Sequence, residues 1–161
     1  MLPVGNVSGA NNPTANLDYC LVSYSYIHRK TTINKIRDRM RNQNTRVLFA
    51  TSEVYPLVKT GGLGDVSSAL PRALLDLGVD IQILVPGYPQ VLDSSRNLKV
   101  IGELKPLPGG HTVQLLQGRL PNSELPLLIL DAPPLYRRKG GPYQDHNGKE
   151  WPDNAYRFGT L

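Results

Sequence analysis

The chain has 161 residues, of which 40% are hydrophobic and 19% are charged, and it contains one cysteine. This composition is typical of a globular domain and excludes collagen-like, disulfide-stapled and wholly disordered chains. The formal net charge of +5 comes from residues 1–46, which carry seven basic and two acidic side chains, whereas residues 47–161 carry eleven of each. The high pI therefore says nothing about the partners of residues 47–161. No apolar run reaches the ~18 residues of a membrane span, so no membrane partner is expected.

Residues 1–45 are predicted to be a basic extension without a fixed fold. Their one helical periodicity, within residues 31–41, is a thin apolar stripe. A nucleic-acid-binding arm is one interpretation, because basic clusters neutralise phosphates. A solvated tail, or an upstream stretch with Met40 as the true start, agrees better with the lack of an aromatic ladder among the charges. The N-terminus lacks the basic start and following apolar stretch of a secretory signal, so we expect a cytoplasmic protein, or a plastid protein if the source is a plant.

From residue 46 onward the predicted elements alternate between strand and helix. Residues 46–51 and 80–85 are short apolar runs that suit buried parallel strands. A loop at 52–64 and an amphipathic helix lie between them, which makes a βαβ unit. The sequence therefore predicts an α/β fold with a mainly parallel sheet.

The helix of this unit has a predicted apolar face, a predicted start and a predicted end. Asp65 is a suitable N-cap and Gly78 a suitable residue just after the C-terminus. Pro71 either kinks the helix or places its regular start near Ser67 or Ser68. The residues predicted to face the core are Val66, Leu70, Ala73, Leu74 and Leu77.

The remaining elements are predicted to be a hairpin, a strand, a loop and a helix. Residues 98–104 and 112–120 are predicted to pair as an antiparallel hairpin inserted into the sheet, and 125–130 is another apolar strand. A Pro-, Gly- and Tyr-rich loop follows, and a helix begins at Asp153. Because this helix has only begun when the sequence stops, we expect the chain to be part of a longer protein.

The most informative motif is Lys-Thr-Gly-Gly-Leu-Gly-Asp at 59–65. It joins the carboxyl end of the first strand to the first helix, which is where ligands bind in open α/β sheets. Glycines let backbone N–H groups approach a ligand, and the helix N-terminus favours an anion. The motif is neither a P-loop nor the dinucleotide fingerprint, which would need glycine in place of Ser67. A diphosphate site and a flexible turn without a ligand both remain open on these residues alone.

Residues 46–161 resemble the beginning of the bacterial glycogen synthase and plant starch synthase family. The resemblance follows the family's order and spacing through seven stretches of sequence. These are Val-Leu-Phe-Ala-Thr-Ser-Glu-Val-Tyr-Pro-Leu at 47–57, Lys-Thr-Gly-Gly-Leu-Gly-Asp-Val at 59–66, Ala-Leu-Pro-Arg-Ala-Leu at 69–74, Val-Pro-Gly-Tyr-Pro at 85–89, Leu-Asp-Ala-Pro-Pro-Leu-Tyr at 130–136, Pro-Tyr-Gln-Asp at 142–145 and Asp-Asn-Ala-Tyr-Arg-Phe at 153–158.

The resemblance implies a retaining glucosyltransferase that moves glucose from ADP-glucose to the non-reducing end of an α-1,4-glucan. The implied fold is a partial Rossmann-like N-terminal domain of a GT-B glycosyltransferase, and the implied partners are ADP-glucose and the glucan. The family's catalytic residues would lie beyond Leu161, so we expect this chain alone to be inactive. The choice between ADP- and UDP-glucose and the oligomeric state are not indicated.

The same resemblance assigns site residues. Four neighbours are expected to contact the donor sugar nucleotide: Lys59, Thr60, Gly61 and Gly62. Asp65 is expected to shape this loop, and Tyr143 to lie near the substrate cleft. No cofactor is implied, and His111 and His146 lack the spacing of metal ligands, so no metal site is expected.

Other interpretations of the residues stay open. Asp153 is predicted to cap the last helix and Arg157 to pair with it one turn later, which would make that motif structural. A non-catalytic glucan- or nucleotide-binding module and a basic-arm nucleic-acid binder are the alternative functions. Nucleic acid is not the expected partner.

Overall fold

The computed structural model describes residues 46–107 and 111–161, together with the isolated positions 32, 34–36 and 38. Those isolated positions are helical and exposed, in agreement with the periodicity of residues 31–41. The rest of the predicted extension at 1–45 lies outside the described residues, so its lack of a fixed fold stays a prediction. No helix within the described residues is long and apolar enough to cross a bilayer.

One five-stranded sheet organises the described part of the chain. Its strands are β1 (Arg46–Ala50), β2 (Asp80–Pro86), β3 (Lys99–Leu107), β4 (His111–Arg119) and β5 (Pro126–Asp131). The helices are α1 (Gly62–Asp76), α2 (Pro89–Ser94), α3 (Pro133–Tyr136) and α4 (Asn154–Gly159). The strand order is β1-β2-β5-β4-β3. The predicted α/β class is confirmed.

The sheet has a parallel part and an antiparallel part. Strands β1, β2 and β5 run parallel, whereas β4 is antiparallel to both β5 and β3. The predicted βαβ unit is therefore present. The predicted hairpin follows β2 and precedes β5 along the chain, but in the sheet β2 pairs directly with β5 and the hairpin extends the sheet beyond β5. Because three parallel strands end at the same side, Ala50, Pro86 and Asp131 bring the loops that follow them to one edge of the sheet, which we call the carboxyl edge.

The core lies around β2 and β5. Ile83 pairs with Leu127 and Val85 with Ile129, and all four side chains are fully buried. A central strand that is covered on both faces needs continuous apolar sequence, which is the pattern of Ile-Leu-Val in β2 and Leu-Leu-Ile-Leu in β5. This core fixes the position of the carboxyl edge.

The predicted inner face of α1 is only partly correct, because Leu74 packs against the core as predicted whereas the residues nearer the start of the helix do not. Val66 and Leu70 are 54% and 44% exposed, whereas Gly64, Ser67 and Pro71 are the buried residues of the helix. Small side chains let the helix backbone come close to the loop after β1, where the hydroxyl oxygens of Ser67 and Thr51 lie 2.9 Å apart. Close approach of these residues therefore sets the orientation of the first half of the helix, where Val66 and Leu70 remain exposed. In the second half, Leu74 and Leu75 pack against the core.

The predicted start of α1 is also wrong. The helix begins at Gly62 with Gly61 as N-cap, so Asp65 lies inside the first turns and caps nothing. Pro71 consequently lies within the helix, which excludes a start near residues 67 or 68. The predicted end is correct, since Gly78 follows the helix with a φ of +89°, a conformation that favours glycine.

A matched pair of substitutions tests where the core lies. Ile129 is fully buried in β5, whereas Ile101 in β3 is 49% exposed. We expect Ile129→Val to lower the free energy of unfolding by about 0.5–1.5 kcal/mol, because a buried methylene is lost and a small cavity remains. Ile101→Val should change it by less than about 0.5 kcal/mol. Urea unfolding of both variants measures the difference, and equal losses would contradict this placement of the core.

Candidate functional site

The loop after β1 brings the glycine-rich motif to the carboxyl edge. Val54 and Val58 exchange two backbone hydrogen bonds of 3.0 and 2.9 Å, and both side chains are buried. This small bridge closes the loop at 52–61 and anchors it in the core. The backbone N–H of Tyr55 donates to the carbonyl of Gly64 at 3.0 Å, which ties the loop to the first turn of α1.

The Glu53 carboxylate lies at the centre of this loop, and the residue as a whole is 2% exposed. Its Oε2 accepts hydrogen bonds from the backbone N–H groups of Thr60 at 2.6 Å and Gly61 at 3.2 Å. Its Oε1 accepts from the hydroxyls of Thr60 at 2.5 Å and Tyr143 at 2.6 Å. One buried carboxylate therefore holds the loop and contacts a residue 90 positions further along the chain.

These hydrogen bonds keep Glu53 ionised. Burial by itself raises the pKa of this carboxyl group, but the hydrogen bonds from Thr60, Tyr143 and Gly61 lower it further than burial raises it. The net result is a pKa below the ordinary value for glutamate. Hydrogen bonds that favour the charged form have outweighed desolvation.

The Lys59 ammonium projects from the same loop and remains half exposed. Its Nζ donates to both carboxylate oxygens of Asp65, at 2.8 and 2.7 Å, and Asp65 is itself more than half exposed. The Asp65 side chain therefore holds the lysine at the mouth of the loop. Because the pair is exposed, its contribution to stability is small.

The three glycines of the motif have different surroundings. Gly61 and Gly62 are exposed, and a Cβ built on either would meet no described atom within 4 Å. Gly64 is buried, and a Cβ there would lie 3.2 Å from the Cβ of Lys59 and 3.3 Å from the carbonyl oxygen of Val58. The first two glycines thus leave space for a ligand beside the backbone, whereas the third permits close packing.

Tyr143 contacts the loop through its hydroxyl group. Besides donating to Glu53, its hydroxyl makes a hydrogen bond of 2.7 Å with the Ser52 hydroxyl. Its ring packs against Phe158, with the two ring centroids 5.6 Å apart. Burial and the bond to Glu53 raise the pKa of Tyr143 above its ordinary value. The structure therefore brings together all six residues that the sequence assigned to the site: Lys59, Thr60, Gly61, Gly62, Asp65 and Tyr143.

Arg157 fixes the segment that carries Tyr143. It is 1% exposed, and its guanidinium donates to the carbonyls of Leu135 at 2.8 Å and Pro142 at 2.9 Å and to Oδ1 of Asn154 at 2.8 Å. The side chain of Asn154 in turn donates to the carbonyl of Tyr143 at 2.9 Å. A buried cation with these partners defines the path of the chain next to the site.

The predicted pairing of Arg157 with Asp153 is wrong, as is the predicted cap. The Asp153 side chain makes no hydrogen bond to the helix that follows it. Its carboxylate instead accepts two hydrogen bonds from Arg138, at 2.8 and 2.6 Å, because the bidentate geometry of a guanidinium suits a carboxylate. The motif at 153–158 nevertheless has the structural role that the sequence suggested.

Glu53 is the residue that sequence reasoning missed. It lies within the Ser-Glu-Val-Tyr-Pro stretch that carried part of the resemblance, but nothing in its spacing points to Tyr143. A lone acidic residue shortly after the first strand, next to a glycine-rich motif, is the signal that could have found it. The strand itself, β1, lies at the edge of the sheet and is only partly buried, so the prediction of a buried strand at 46–51 is wrong.

Comparison with known proteins identifies the family of this chain. A profile of the starch synthase catalytic domain matches residues 46–161. The chain is 55% identical over 117 residues to glycogen synthase from Paramagnetospirillum magneticum and 53% identical over 118 residues to that from Nitrosospira multiformis. These matches cover 72% and 71% of this chain but 24% of each relative, so the chain spans about a quarter of their length.

A solved structure gives the same assignment. The catalytic domain of starch synthase IV from Arabidopsis thaliana, bound to ADP and acarbose, superposes with a TM-score of 0.53 and 26% identity. The superposition covers 63% of this chain and 22% of that one. The chain belongs to the starch synthase catalytic domain family, as the resemblance predicted, and corresponds to part of a GT-B glycosyltransferase fold.

Proposed function

We propose that residues 46–161 form the diphosphate-facing part of a retaining glucosyltransferase that transfers glucose from ADP-glucose to the non-reducing end of an α-1,4-glucan. The observation that carries the proposal is the half-exposed Lys59 beside two unobstructed glycines at the carboxyl edge. Family membership supports the reaction class, and the starch synthase IV structure was solved with ADP and acarbose. Donor, acceptor and stereochemistry are all part of the proposal.

The proposed role of the loop is electrostatic. Negative charge develops on the departing diphosphate when the bond to glucose breaks, and fixed donors directed at that charge stabilise the transition state. The first N–H groups of α1, beginning at Gly62, have no carbonyl to bond within the helix. Together with the Lys59 ammonium they form a set of donors suited to diphosphate oxygens. Thr60 and Gly61 contribute through the loop shape that Glu53 maintains.

Tyr143 and Asp65 have supporting roles in this proposal. The Tyr143 hydroxyl is bonded to Glu53 and Ser52, which holds the residue against the loop, so it is suited to border the space where the sugar would lie. Asp65 holds the Lys59 ammonium in place until a more highly charged ligand competes for it. Neither residue needs to exchange a proton during the reaction.

A chimeric enzyme tests the proposal. Residues 46–161 would replace the matching segment of Paramagnetospirillum magneticum glycogen synthase, with the unmodified enzyme as control. We expect the chimera to incorporate glucose from ADP-glucose into glycogen, and NMR of the product to show α-linked glucose. Parallel assays with UDP-glucose measure the donor preference. A folded chimera that binds glycogen without transferring glucose would contradict the proposal and favour a non-catalytic binding module.

A further inference from the structure

We propose that Glu53 is a positioning residue, which sets the conformation of the loop at 59–62 and joins it to the segment that carries Tyr143. The inference rests on the proposed function where it concerns the substrate, but its structural part stands on hydrogen bonds within the chain. Glu53 is among the most buried charged residues described, at 2% exposure, and its two oxygens accept four hydrogen bonds.

The position of the carboxylate decides which donors a ligand can use. The N–H groups of Thr60 and Gly61 already point at Oε2 of Glu53, so they are not available to a diphosphate. With these two peptides fixed, the chain enters α1 with Gly61 extended, at φ −151° and ψ −157°. The N–H of Gly62 and the next ones in the helix are then the first that a ligand can reach. Glu53 thus acts through the loop and does not contact the substrate.

Displacement of Glu53 by the ligand is the competing possibility, and the geometry argues against it. A carboxylate that left this place would give up four donors and would leave the hydroxyls of Thr60 and Tyr143 without their acceptor. A buried charged group that loses its hydrogen bonds is strongly disfavoured. These four hydrogen bonds therefore indicate that the Glu53 carboxylate stays in place as a permanent part of the loop.

The shared Oε1 couples two distant segments. It accepts from Thr60 in the glycine-rich loop and from Tyr143, 90 residues away. Any change at Tyr143 should consequently reach the loop through Glu53. A residue that only filled space would produce no such coupling.

Three variants of the 161-residue chain separate positioning from packing. Glu53→Ala removes both acceptor oxygens. Glu53→Gln keeps one oxygen for the two backbone N–H groups and places its amide nitrogen near the two hydroxyls, which can accept as well as donate. Tyr143→Phe removes one donor and keeps the ring. Unchanged amide exchange in the core strands β2 and β5 serves as the folding control.

Hydrogen exchange followed by NMR gives the first result. We expect the amides of Thr60 and Gly61 to exchange about tenfold or more faster in Glu53→Ala, and within about threefold of the unmodified chain in Glu53→Gln. We also expect Tyr143→Phe to speed exchange at Gly61 when Glu53 is present and to add nothing to Glu53→Ala. Unchanged exchange in Glu53→Ala, failure of Glu53→Gln to restore protection, or additive effects of Tyr143→Phe would overturn the inference.

The same variants in the chimera give the second result. Glu53→Ala should lower kcat/KM for ADP-glucose by about tenfold or more and Glu53→Gln by much less, because the loop amides keep their acceptor in the second variant. Increased affinity for ADP in both variants would overturn the inference by showing that Glu53 competes with the ligand. If the unmodified chimera is inactive, the proposed function fails, and the exchange measurements on the 161-residue chain still decide the role of Glu53.

Discussion

Lys59→Ala in the chimera is expected to lower the turnover of ADP-glucose by about 10²–10³-fold. Lys59 supplies the one full positive charge of the loop at 59–65, and removal of one donor from a site of this kind typically costs about 3–4 kcal/mol of transition-state stabilisation. The fold should not suffer, because the lysine is half exposed and its partner Asp65 is more exposed still. Initial rates at saturating ADP-glucose measure the loss of turnover, and thermal unfolding measured in parallel checks that the fold is unaffected.

Lys99→Ala is the matched control for this loss of charge. Lys99 is exposed at the start of β3, away from the glycine-rich loop, so its removal should leave turnover within about twofold. Gly62→Val tests the backbone donors separately, since a Cβ there meets no described atom within 4 Å and would instead fill the space of the ligand. We expect this variant to be folded and less active than Lys59→Ala. Full activity in either site variant would refute the proposed role of the loop.

Arg157→Ala is expected to lower the free energy of unfolding by about 3–5 kcal/mol. The change leaves three oxygens without a donor, those of Leu135, Pro142 and Asn154, and each buried unsatisfied group costs about 1–3 kcal/mol. It also removes the guanidinium carbon that lies 5.7 Å from the ring centroid of Trp151 and 5.5 Å from that of Phe158. Urea unfolding followed by circular dichroism measures the loss.

Arg138→Ala is the control for Arg157→Ala. Arg138 also makes bidentate hydrogen bonds, to Asp153, but it remains partly exposed. Water can therefore replace its hydrogen bonds, and we expect a loss of about 1 kcal/mol or less. Equal destabilisation by the two substitutions would contradict the structural role assigned to the buried arginine.

The sheet was predictable because its signals are local. Continuous apolar runs at β2 and β5 can be satisfied only by burial on both faces, and the two predicted hairpin strands pair as β3 and β4. The orientation of α1 was not predictable in this way. The spacing of the large apolar residues predicted that Val66 and Leu70 face the core. The first half of the helix instead packs through Gly64 and Ser67. Small residues carry no hydrophobic signal, although they permit the closest approach.

The arrangement of the candidate site was predictable where one segment holds all its parts. Lys59 and the glycines lie within a few residues of each other, at a junction where ligands commonly bind. The role of Glu53 depends on Tyr143, which is 90 residues distant, and no local pattern connects them. Asp153 shows the same limit, because its sequence position suggested a cap while its partner Arg138 approaches from another loop.

The uncovered side of β1 and α1 affects how any stability measurement on this chain should be interpreted. Strand β1 ends the sheet, and Leu48, Leu63, Val66 and Leu70 leave apolar surface in contact with water within the described residues. Surface of this kind contributes about 25 cal/mol per Å² once it is enclosed. A free energy of unfolding measured on the 161 residues is consequently a lower bound for the same fold inside a polypeptide that encloses this side.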